Sequence, residues 1–567
     1  MSDSPGAAHR RPTRAHAVIA AVTAVLVCAA CSGAPSAGGH PSSKPTTASA
    51  TASPVAPASV VPDPAHVAVL SALLSRMQQS SAVSGKQLSP GAADIFDYDI
   101  GALWRQGIDG TGTTIALLEV WDDPDISAEM DAFDQRTGLP PVDIQTVYPS
   151  GDGRLPSSCP SRMQGPGGYG TCAGWAAEEL LDVETAHLIA PYADILVGVT
   201  PPDSEIVGDI ATKEAPPELM QGVEYISTRH LADVISISGG TGEASYAGGA
   251  AEIHAQDPAE LTAAADGVPV LVATGDCGAL QNLPTATGQC TSTSTAPDTS
   301  AWAASPWVTA VGGSVPDLAP SGAQAGPDQV WDDPPFAEGA GLSADYPRPA
   351  YQDAVAAATG SARRSLPDLV MDAQAGTSEA TPMLGAVLAL AGQLNHGPLG
   401  SINDALYEVL GPHGAADGIT DIASGSDAVP GAPGFSAKPG FDVATGWGTI
   451  DAAKFVPALV AAVRAQRGAN SPANQATAAL AELRAAAHPA DNDIPAGAST
   501  ALTASGFLPG HPVTVSIDGR QVAAATADAS GDVVYPVDPS TLKLTAGTHT
   551  LALHSMLIPQ TVGFRST

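Results

Sequence analysis

The sequence has few basic residues. Its 567 residues include 23 Lys and Arg against 58 Asp and Glu, which gives a formal net charge of −35 at pH 7. Proteins that bind nucleic acids need clustered Lys and Arg to neutralise phosphates, and we therefore expect no nucleic-acid partner. A surplus of acidic groups, which shrinks as carboxylates protonate, suits a secreted protein.

The apolar run near the N-terminus is too short for a convincing membrane span. It covers the fourteen residues 17–30 and follows Arg10, Arg11 and Arg14, whereas a transmembrane helix needs about 20 apolar residues. A positive segment followed by a short apolar run is typical of a signal peptide. We predict that residues 1–31 are such a signal and that the protein is exported.

The end of this run offers two kinds of cleavage. The sequence Cys28-Ala-Ala-Cys31 resembles a bacterial lipoprotein cleavage site, in which Cys31 would carry the lipid and tether the protein to the membrane. Simple cleavage after a small residue is the alternative. The protein is therefore expected outside the cytoplasm, either secreted or lipid-anchored at the cell surface.

Cysteine is scarce, with six residues in the chain. The four beyond the signal form two local pairs of equal spacing, and no Cys-x-x-Cys or histidine spacing suggests zinc. In an exported chain this pattern predicts the disulfides Cys159–Cys172 and Cys277–Cys290. Each would close a short loop and add about 3 kcal/mol of stability at most.

Residues 65–465 alternate between strand and helix patterns after a disordered tether, rich in Ser, Thr and Pro, at residues 32–64. A short helix is expected at 65–79. Continuous apolar runs, typical of strands buried on both faces, lie at 115–118, 195–199, 234–238, 268–273 and 308–311. Helical patterns between them include 130–133, 175–189 and 259–265. The fold class is therefore α/β, a parallel sheet flanked by helices, with function at the carboxyl ends of strands.

The last part of the chain has a different pattern. Residues 466–493 are predicted to be a linker with one weak helix at 476–487. Residues 494–567 contain short strand patterns with Gly and Asp turns about every ten residues, which predicts a small antiparallel β-sandwich. Through Ala504-Ser-Gly-Phe-Leu-Pro-Gly510, this part resembles the immunoglobulin-like modules of actinobacterial secreted proteins.

A serine lies at a predicted loop-to-helix junction, in Gly376-Thr-Ser378-Glu-Ala-Thr-Pro382. A hydroxyl at a helix start lies near free N–H groups that can receive negative charge. This arrangement suits a nucleophile. It also describes an ordinary helix N-cap, which is far more common.

Three acidic residues are candidates to act with this serine. Glu178 and Asp182 are four residues apart, so that a helix would place their carboxyls on one face, although a solvated helix face has the same spacing. Asp276 follows the apolar run that ends at Ala273, and the alternative for it is a turn aspartate.

Together with further motifs, these residues resemble the sedolisins, the serine-carboxyl peptidases, which have a subtilisin-like fold. The resemblance covers roughly Tyr98 to Ala465, and residues 65–465 are accordingly expected to be a sedolisin-like peptidase domain. Besides the segments around Glu178, Asp276 and Ser378, the matching motifs are Ala303-Ala-Ser-Pro-Trp-Val308, Val311-Gly-Gly313, Pro347-x-Pro-Ala-Tyr-Gln352, Leu366-Pro-Asp-Leu-Val370 and Pro439-Gly-Phe-Asp442 with Thr445-Gly446.

The resemblance implies a role for four residues. Ser378 would be the nucleophile, Glu178 its general base, Asp182 the acid that orients Glu178, and Asp276 the group that stabilises the oxyanion. A carboxylate base can be matched to an acidic medium, and an aspartic acid stabilises an oxyanion only while protonated. We therefore expect an exported endopeptidase that hydrolyses peptides or proteins at acidic pH.

The resemblance also implies bound Ca²⁺ near the end of this domain. The matching positions are Asp421, Ile422, Lys438, Gly440 and Asp442. Two carboxylates with backbone carbonyls suit a hard cation. Lys438 stands where the family usually has glycine, so that its ammonium group must point away, and a solvated Asp turn is the alternative.

Two alternatives differ from this expectation. A histidine base has little support, because no subtilisin-type His-Gly-x-x-His motif exists and His187 lies in the same predicted helix as Glu178. A catalytically weak relative that binds peptides or cell-wall components is the second alternative. It is favoured by the missing large prodomain and by the short segment 367–378 before the serine. A further departure from the family is the lack of the usual tryptophan after Gly240.

Overall fold

The computed structural model describes most of the chain after residue 58. The described residues are 59–84, 90–149, 159, 164, 171–200, 217–246, 249–281, 297–319, 321, 324–468, 471–486, 493–494, 498–504, 512–526, 528, 533–554 and 560–566. The predicted signal peptide and almost all of the predicted tether lie outside these residues.

A mostly parallel sheet forms the centre of the α/β domain. The strands of this sheet are β1 (Thr114–Glu119), β2 (Ile144–Val147), β3 (Asp194–Val199), β4 (Val234–Ile237), β5 (Val270–Ala273), β6 (Thr309–Val315), β7 (Gln329–Val330) and β12 (Leu369–Asp372). They run in the order β12-β6-β5-β4-β1-β3-β2, all parallel, and β7 pairs antiparallel with β6. The predicted α/β class and parallel sheet are confirmed.

Short antiparallel pairs complete the strands of this domain. They are β8 (Asp332–Asp333) with β9 (Phe336–Ala337), β10 (Gly341–Pro347) with β11 (Arg363–Leu366), and β13 (Ile419–Thr420) with β14 (Thr449–Ile450). The segment β8–β9 matters for the site because Ala337 N donates to the carbonyl oxygen of Asp276 at 2.9 Å.

Helices cover both faces of the sheet. They are α1 (Pro64–Ser84), α2 (Pro90–Asp97), α3 (Ile100–Trp104), α4 (Ile126–Thr137), α5 (Cys172–Ile189), α6 (Pro217–Thr228), α7 (Ala250–Ile253), α8 (Asp257–Asp266), α9 (Ala356–Thr359), α10 (Thr377–Asn395), α11 (Asn403–Ala405), α12 (Gly411–His413), α13 (Ala452–Ala465) and α14 (Pro472–Ala486). One apolar core contains residues of α5, α10 and α13, and a second core, on other side chains of the same strands, contains residues of α6 and α8. Strands covered on both faces explain the continuous apolar runs.

Helix α14 changes the interpretation of the predicted linker. Ala476 and Leu480 pack against Leu261 and Ala264 of α8. The helix begins at Pro472, four residues before the predicted start, and its apolar positions are covered by the α/β domain. Its pattern on the sequence is weak because alanines supply part of the contact beside a single leucine, Leu480.

The C-terminal part contains two sheets around its own apolar core. The five-stranded sheet has the order β15-β21-β20-β17-β18, and β16 pairs with β19. The strands are β15 (Asp493–Ile494), β16 (Thr500–Ala504), β17 (Pro512–Ile517), β18 (Arg520–Thr526), β19 (Val533–Val537), β20 (Gly547–His554) and β21 (Gln560–Ser566). All pairs are antiparallel except β15 with β21, which are parallel. These two strands are far apart in the sequence, so no hairpin turn forces them to be antiparallel. A β module is therefore present, while its immunoglobulin-like character stays a prediction.

Candidate active site

Ser378 lies in the first turn of α10 and is half-buried. Gly376 precedes the helix with φ 93°, a backbone conformation that favours glycine. A Cβ at Gly376 would come within 2.7 Å of Asp276 Oδ2, so this position has room for glycine only. The N-cap position belongs to Gly376, and Ser378 is therefore not the cap of its helix.

Pro382 leaves the carbonyl of Ser378 free for a partner outside the helix. A helical N–H at residue 382 would bond this carbonyl, but proline has no N–H. Ser238, just after β4, donates its hydroxyl to the Ser378 carbonyl oxygen at 3.2 Å. Because the helical bond is missing, the Ser378 carbonyl can accept from Ser238, and this bond joins the start of α10 to the carboxyl end of β4.

Glu178 on α5 contacts the hydroxyl of Ser378. Its carboxyl lies beside Ser378, and its Oε1 atom is shielded from solvent although the residue as a whole is half-buried. The pKa of Glu178 is raised to about 7, mainly by burial; the neighbouring Ser378 hydroxyl lowers it and the charge of Asp276 adds to the increase. Once ionised, such a carboxylate is a stronger proton acceptor than an exposed one.

Asp182 lies one turn further along α5 and is fully buried. Its pKa is well above the usual range, mainly because of burial and then because of the charge of Glu178, while hydrogen bonds to Ser238 and Glu119 oppose the increase. A fully buried carboxyl cannot belong to a solvated helix face, and that alternative is wrong for Asp182.

Glu119 joins the same group of carboxyls and was missed by the sequence analysis. It is the last residue of β1, is fully buried, and lies beside Asp182. Burial and the charge of Asp182 raise the pKa of Glu119 well above its usual range. The available signal was a carboxyl at the carboxyl end of a buried strand, a position typical of functional residues in parallel sheets.

Asp276 follows β5 and is joined to the residue next to Ser378. Its Oδ1 accepts hydrogen bonds from Thr377 N at 2.9 Å and from Thr377 Oγ1 at 2.8 Å. Gly275 N in turn donates to Thr377 Oγ1 at 3.1 Å. Because the two loops hold each other, Asp276 is positioned at the start of α10, close enough for its charge to affect Glu178. The structure therefore brings all four predicted residues together.

His187 has a structural environment. Its ring is fully buried, and Nε2 lies 3.1 Å from Asp134 Oδ1 and 3.0 Å from the Pro140 carbonyl oxygen. His187 is therefore a buried residue that packs between α4 and α5.

The Cys159–Cys172 disulfide is present, with a Cα–Cα distance of 6.1 Å. Cys172 is the first residue of α5, so the bridge anchors the helix that carries Glu178 and Asp182. Cys290 lies outside the described residues, and its pairing with Cys277 stays a prediction.

The five predicted calcium positions lie in one folded loop. Asp421 Oδ2 accepts from Gly440 N at 2.9 Å, and Asp442 Oδ2 accepts from Lys438 N at 2.7 Å. Thr445 Oγ1 is 3.5 Å from the Ile422 carbonyl oxygen. Lys438 Nζ points to the Ala358 carbonyl oxygen at 3.3 Å, as the sequence required. Within the described ranges no group of three or more His, Cys, Asp or Glu could hold a metal, so carbonyl oxygens would have to complete this donor set, and they fit a hard cation.

The described part of the chain contains no helix with both the length and the apolar character needed to cross a bilayer. The predicted lipidation at Cys31 and the signal at residues 1–31 are outside that part.

Comparisons with known proteins identify relatives of the α/β domain. No protein-family model matches the chain. It is 29% identical over 399 residues to kumamolisin from Bacillus sp. (strain MN-32), covering 66% of this chain and 64% of that protein. It is 30% identical over 261 residues to sedolisin from Pseudomonas sp. (strain 101), covering 42% of each. The chain thus spans less than two thirds of the length of either relative.

A solved structure agrees with the fold. Sedolisin from Pseudomonas, complexed with two molecules of pseudo-iodotyrostatin, matches with a TM-score of 0.52 and 23% identity, and the match covers 65% of this chain and 97% of that one. At this identity the structural likeness supports the fold alone. Taken with the sequence relatives, it supports the sedolisin family for this chain, and the α/β domain has the subtilisin-like fold.

Proposed function

We propose that this protein is an exported serine-carboxyl endopeptidase that cleaves peptides or proteins at acidic pH. The observation that carries the proposal is the position of the shielded carboxyl of Glu178 beside Ser378, with Asp182 behind it and Asp276 at the same helix start. The relatives named kumamolisin, sedolisin and tripeptidyl-peptidase 1 (Homo sapiens) support the same class of reaction.

The first step would transfer one proton and form one bond. Glu178, ionised, takes the hydroxyl proton of Ser378 while the serine oxygen attacks the carbonyl carbon of the peptide bond. The carbonyl oxygen becomes negatively charged, and protonated Asp276 donates a hydrogen bond to it. Glu178 then returns the proton to the leaving amine, and water repeats the sequence on the acyl-enzyme.

The pH dependence of this step has two opposing requirements. The pKa of Glu178 is about 7, so the ionised base becomes more abundant as the pH rises toward that value. Asp276 must keep its proton, and its ionisation removes the oxyanion donor. We therefore predict a bell-shaped dependence of kcat/KM on pH, with the maximum on the acidic side of about pH 7. Hydrolysis of a mixed peptide library measured from about pH 3 to 8 checks this, and a flat profile over about pH 4 to 8 contradicts it.

We propose that Ca²⁺ binds to Asp421 and Asp442 together with the carbonyl oxygens of Ile422, Lys438 and Gly440. The support is the loop geometry, in which the backbone N–H bonds to the two carboxyls leave the carbonyl oxygens as additional ligands. When bound, the cation would supply charge compensation to a loop with two carboxyls and would stabilise its fold.

Removal of the cation is expected to lower the thermal stability. A chelator should reduce Tm by several °C, because a ligand that binds only the folded state stabilises it by about 2.7 kcal/mol at 100 times its Kd. Scanning calorimetry at constant pH, with and without added Ca²⁺, measures the change. In Asp442→Asn the difference should disappear, whereas an equal difference in this variant and in the wild type rejects the site.

A further inference from the structure

A second group of acidic side chains packs against the segment that leads from β12 to Ser378. We call it the Asp372 cluster. Its members come from α2, from the segment before β7, from the end of β12 and from the first turn of α10. They are Asp94, Asp97, Asp328, Asp372 and Glu379, and four of them are buried, with exposed fractions of 0% (Asp94, Asp372), 3% (Asp328) and 7% (Glu379).

One of these carboxyls binds the backbone of the segment, and a second binds one of its side chains. Glu379 Oε2 accepts a hydrogen bond from Ala375 N at 2.8 Å. Asp372 N donates to the hydroxyl of Tyr98 at 2.6 Å, and Asp372 Oδ2 accepts from the Gln374 side chain at 2.8 Å. Both ends of residues 373–376 are therefore held by the cluster, directly before Thr377 and Ser378.

The centre of the cluster lacks hydrogen-bond donors. Both carboxyl oxygens of Asp94 and the Oδ1 atom of Asp372 are inaccessible to solvent, and no N–H or hydroxyl group of the described residues donates to them. The two carboxyls instead lie against each other, and burial together with the charge of Asp372 raises the pKa of Asp94. Two buried carboxyls in contact cannot both ionise without strong repulsion, so this pair depends on a retained proton.

Among the described residues, the groups that act on the cluster are acids and a tyrosine hydroxyl. Asp97, Glu379 and Asp372 act on Asp94, Asp328 acts on Asp97, and the neighbouring hydroxyl is that of Tyr98. No ion pair within the described ranges joins a member to Lys, Arg or His. Burial raises the pKa of Asp94 well above its usual range, and burial with the charge of Asp372 raises the pKa values of Glu379 and Asp97 to about 7.

We propose that the Asp372 cluster is a positioning device for the nucleophile, which holds residues 373–378 in place through the proton shared by Asp94 and Asp372 and releases them when the cluster ionises. The inference rests on the proposed function for its consequence, because a released segment would move Ser378 away from Glu178. It assigns to Asp94, Asp372 and Glu379 a role that is separate from proton transfer in the triad.

The sign of the pH effect follows from the raised pKa values. Below about pH 4 these carboxyls are protonated in both the folded and the unfolded chain. Between that pH and about 7 the unfolded chain loses its protons while the folded cluster keeps them, so the stability of the folded segment falls as the pH rises. The loss is complete once the cluster itself has ionised.

Hydrogen exchange tests the proposal on the full chain. We expect the protection of the amides of residues 373–379, corrected for intrinsic exchange rates, to fall by about tenfold or more between about pH 5 and 8. In Asp94→Asn an amide N–H replaces the shared proton at every pH, and in Glu379→Gln the amide oxygen still accepts from Ala375 N. Each variant should reduce the fall to less than about threefold.

Glu260→Gln is the matched control. Glu260 is a fully buried acid on α8 with a raised pKa, but it does not belong to the Asp372 cluster, so residues 373–379 should show the fall of the wild type. A fall in Asp94→Asn as large as in the wild type, or no fall in the wild type, overturns the proposal. The exchange data do not require peptidase activity, so failure of the proposed function is recognised separately, by the absence of hydrolysis.

Discussion

Substitution Ser378→Ala is expected to abolish peptide hydrolysis. Removal of the hydroxyl eliminates the bond-forming atom, while Glu178, Asp182 and Asp276 remain in place. By analogy with other serine nucleophiles, kcat should fall by about 10⁴-fold or more. The measurement is hydrolysis of a peptide library at about pH 4 by the mature protein and by the variant.

The control is another buried serine. Ser227 on α6 donates to the Val223 carbonyl oxygen at 2.7 Å and has no contact with the candidate site, so Ser227→Ala should retain activity. If the wild type and Ser378→Ala hydrolyse equally little and both bind peptides, the protein is the catalytically weak binding relative and the proposed function is wrong. The Asp372 cluster keeps its own test in that case.

Substitution Glu178→Gln should have the second largest effect. The amide keeps the shape of the side chain and can still hydrogen-bond Ser378, but it cannot take the hydroxyl proton. A positioned general base contributes about 10²- to 10⁴-fold, and kcat is expected to fall by that factor while KM changes little. The carboxyl with a pKa of about 7 is absent from this variant. Its residual activity should therefore no longer decrease as the pH is lowered below that value.

Glu179→Gln distinguishes loss of the base from loss of a buried acid. Glu179 is the next residue on α5, is fully buried, and has a pKa of about 8 because of burial. Its Oε2 accepts from Asp123 N at 2.7 Å, a bond that the glutamine oxygen can also make. This variant should keep kcat within about threefold of the wild type. Equal losses in the two variants would show that Glu178 supports the helix and does not act as the base.

Local patterns predicted the order of the elements correctly. The apolar runs around Ile115, Ile195 and Val270 form parallel strands of the central sheet. A strand covered on both faces needs apolar side chains at every residue, whatever its position in the sheet, so the run is visible in the sequence. The boundaries differ by a few residues. Helix α1, for example, runs from Pro64 to Ser84 and not from 65 to 79, since its ends depend on contacts and caps that periodicity does not show.

The candidate site divides in the same way. Short motifs that resemble those of the sedolisins identified four candidate residues, Ser378, Glu178, Asp182 and Asp276. Glu119 and Glu379 were missed, because each is an isolated acid in sequence and becomes informative only when strands and helices distant in the chain place other carboxyls beside it.

The sequence by itself predicted the α/β class, the resemblance to the sedolisins and the four candidate site residues, since these depend on periodicity and on short motifs. Only the tertiary structure decided which carboxyls lie against each other. A pKa depends on burial and on charges a few ångströms away, and the elements that bury Asp94 against Asp372, or Asp182 against Glu119, are far apart in the chain. The short segment before Ser378 therefore acquires its support from α2 and α10, and the sequence of the segment alone contains no sign of that support.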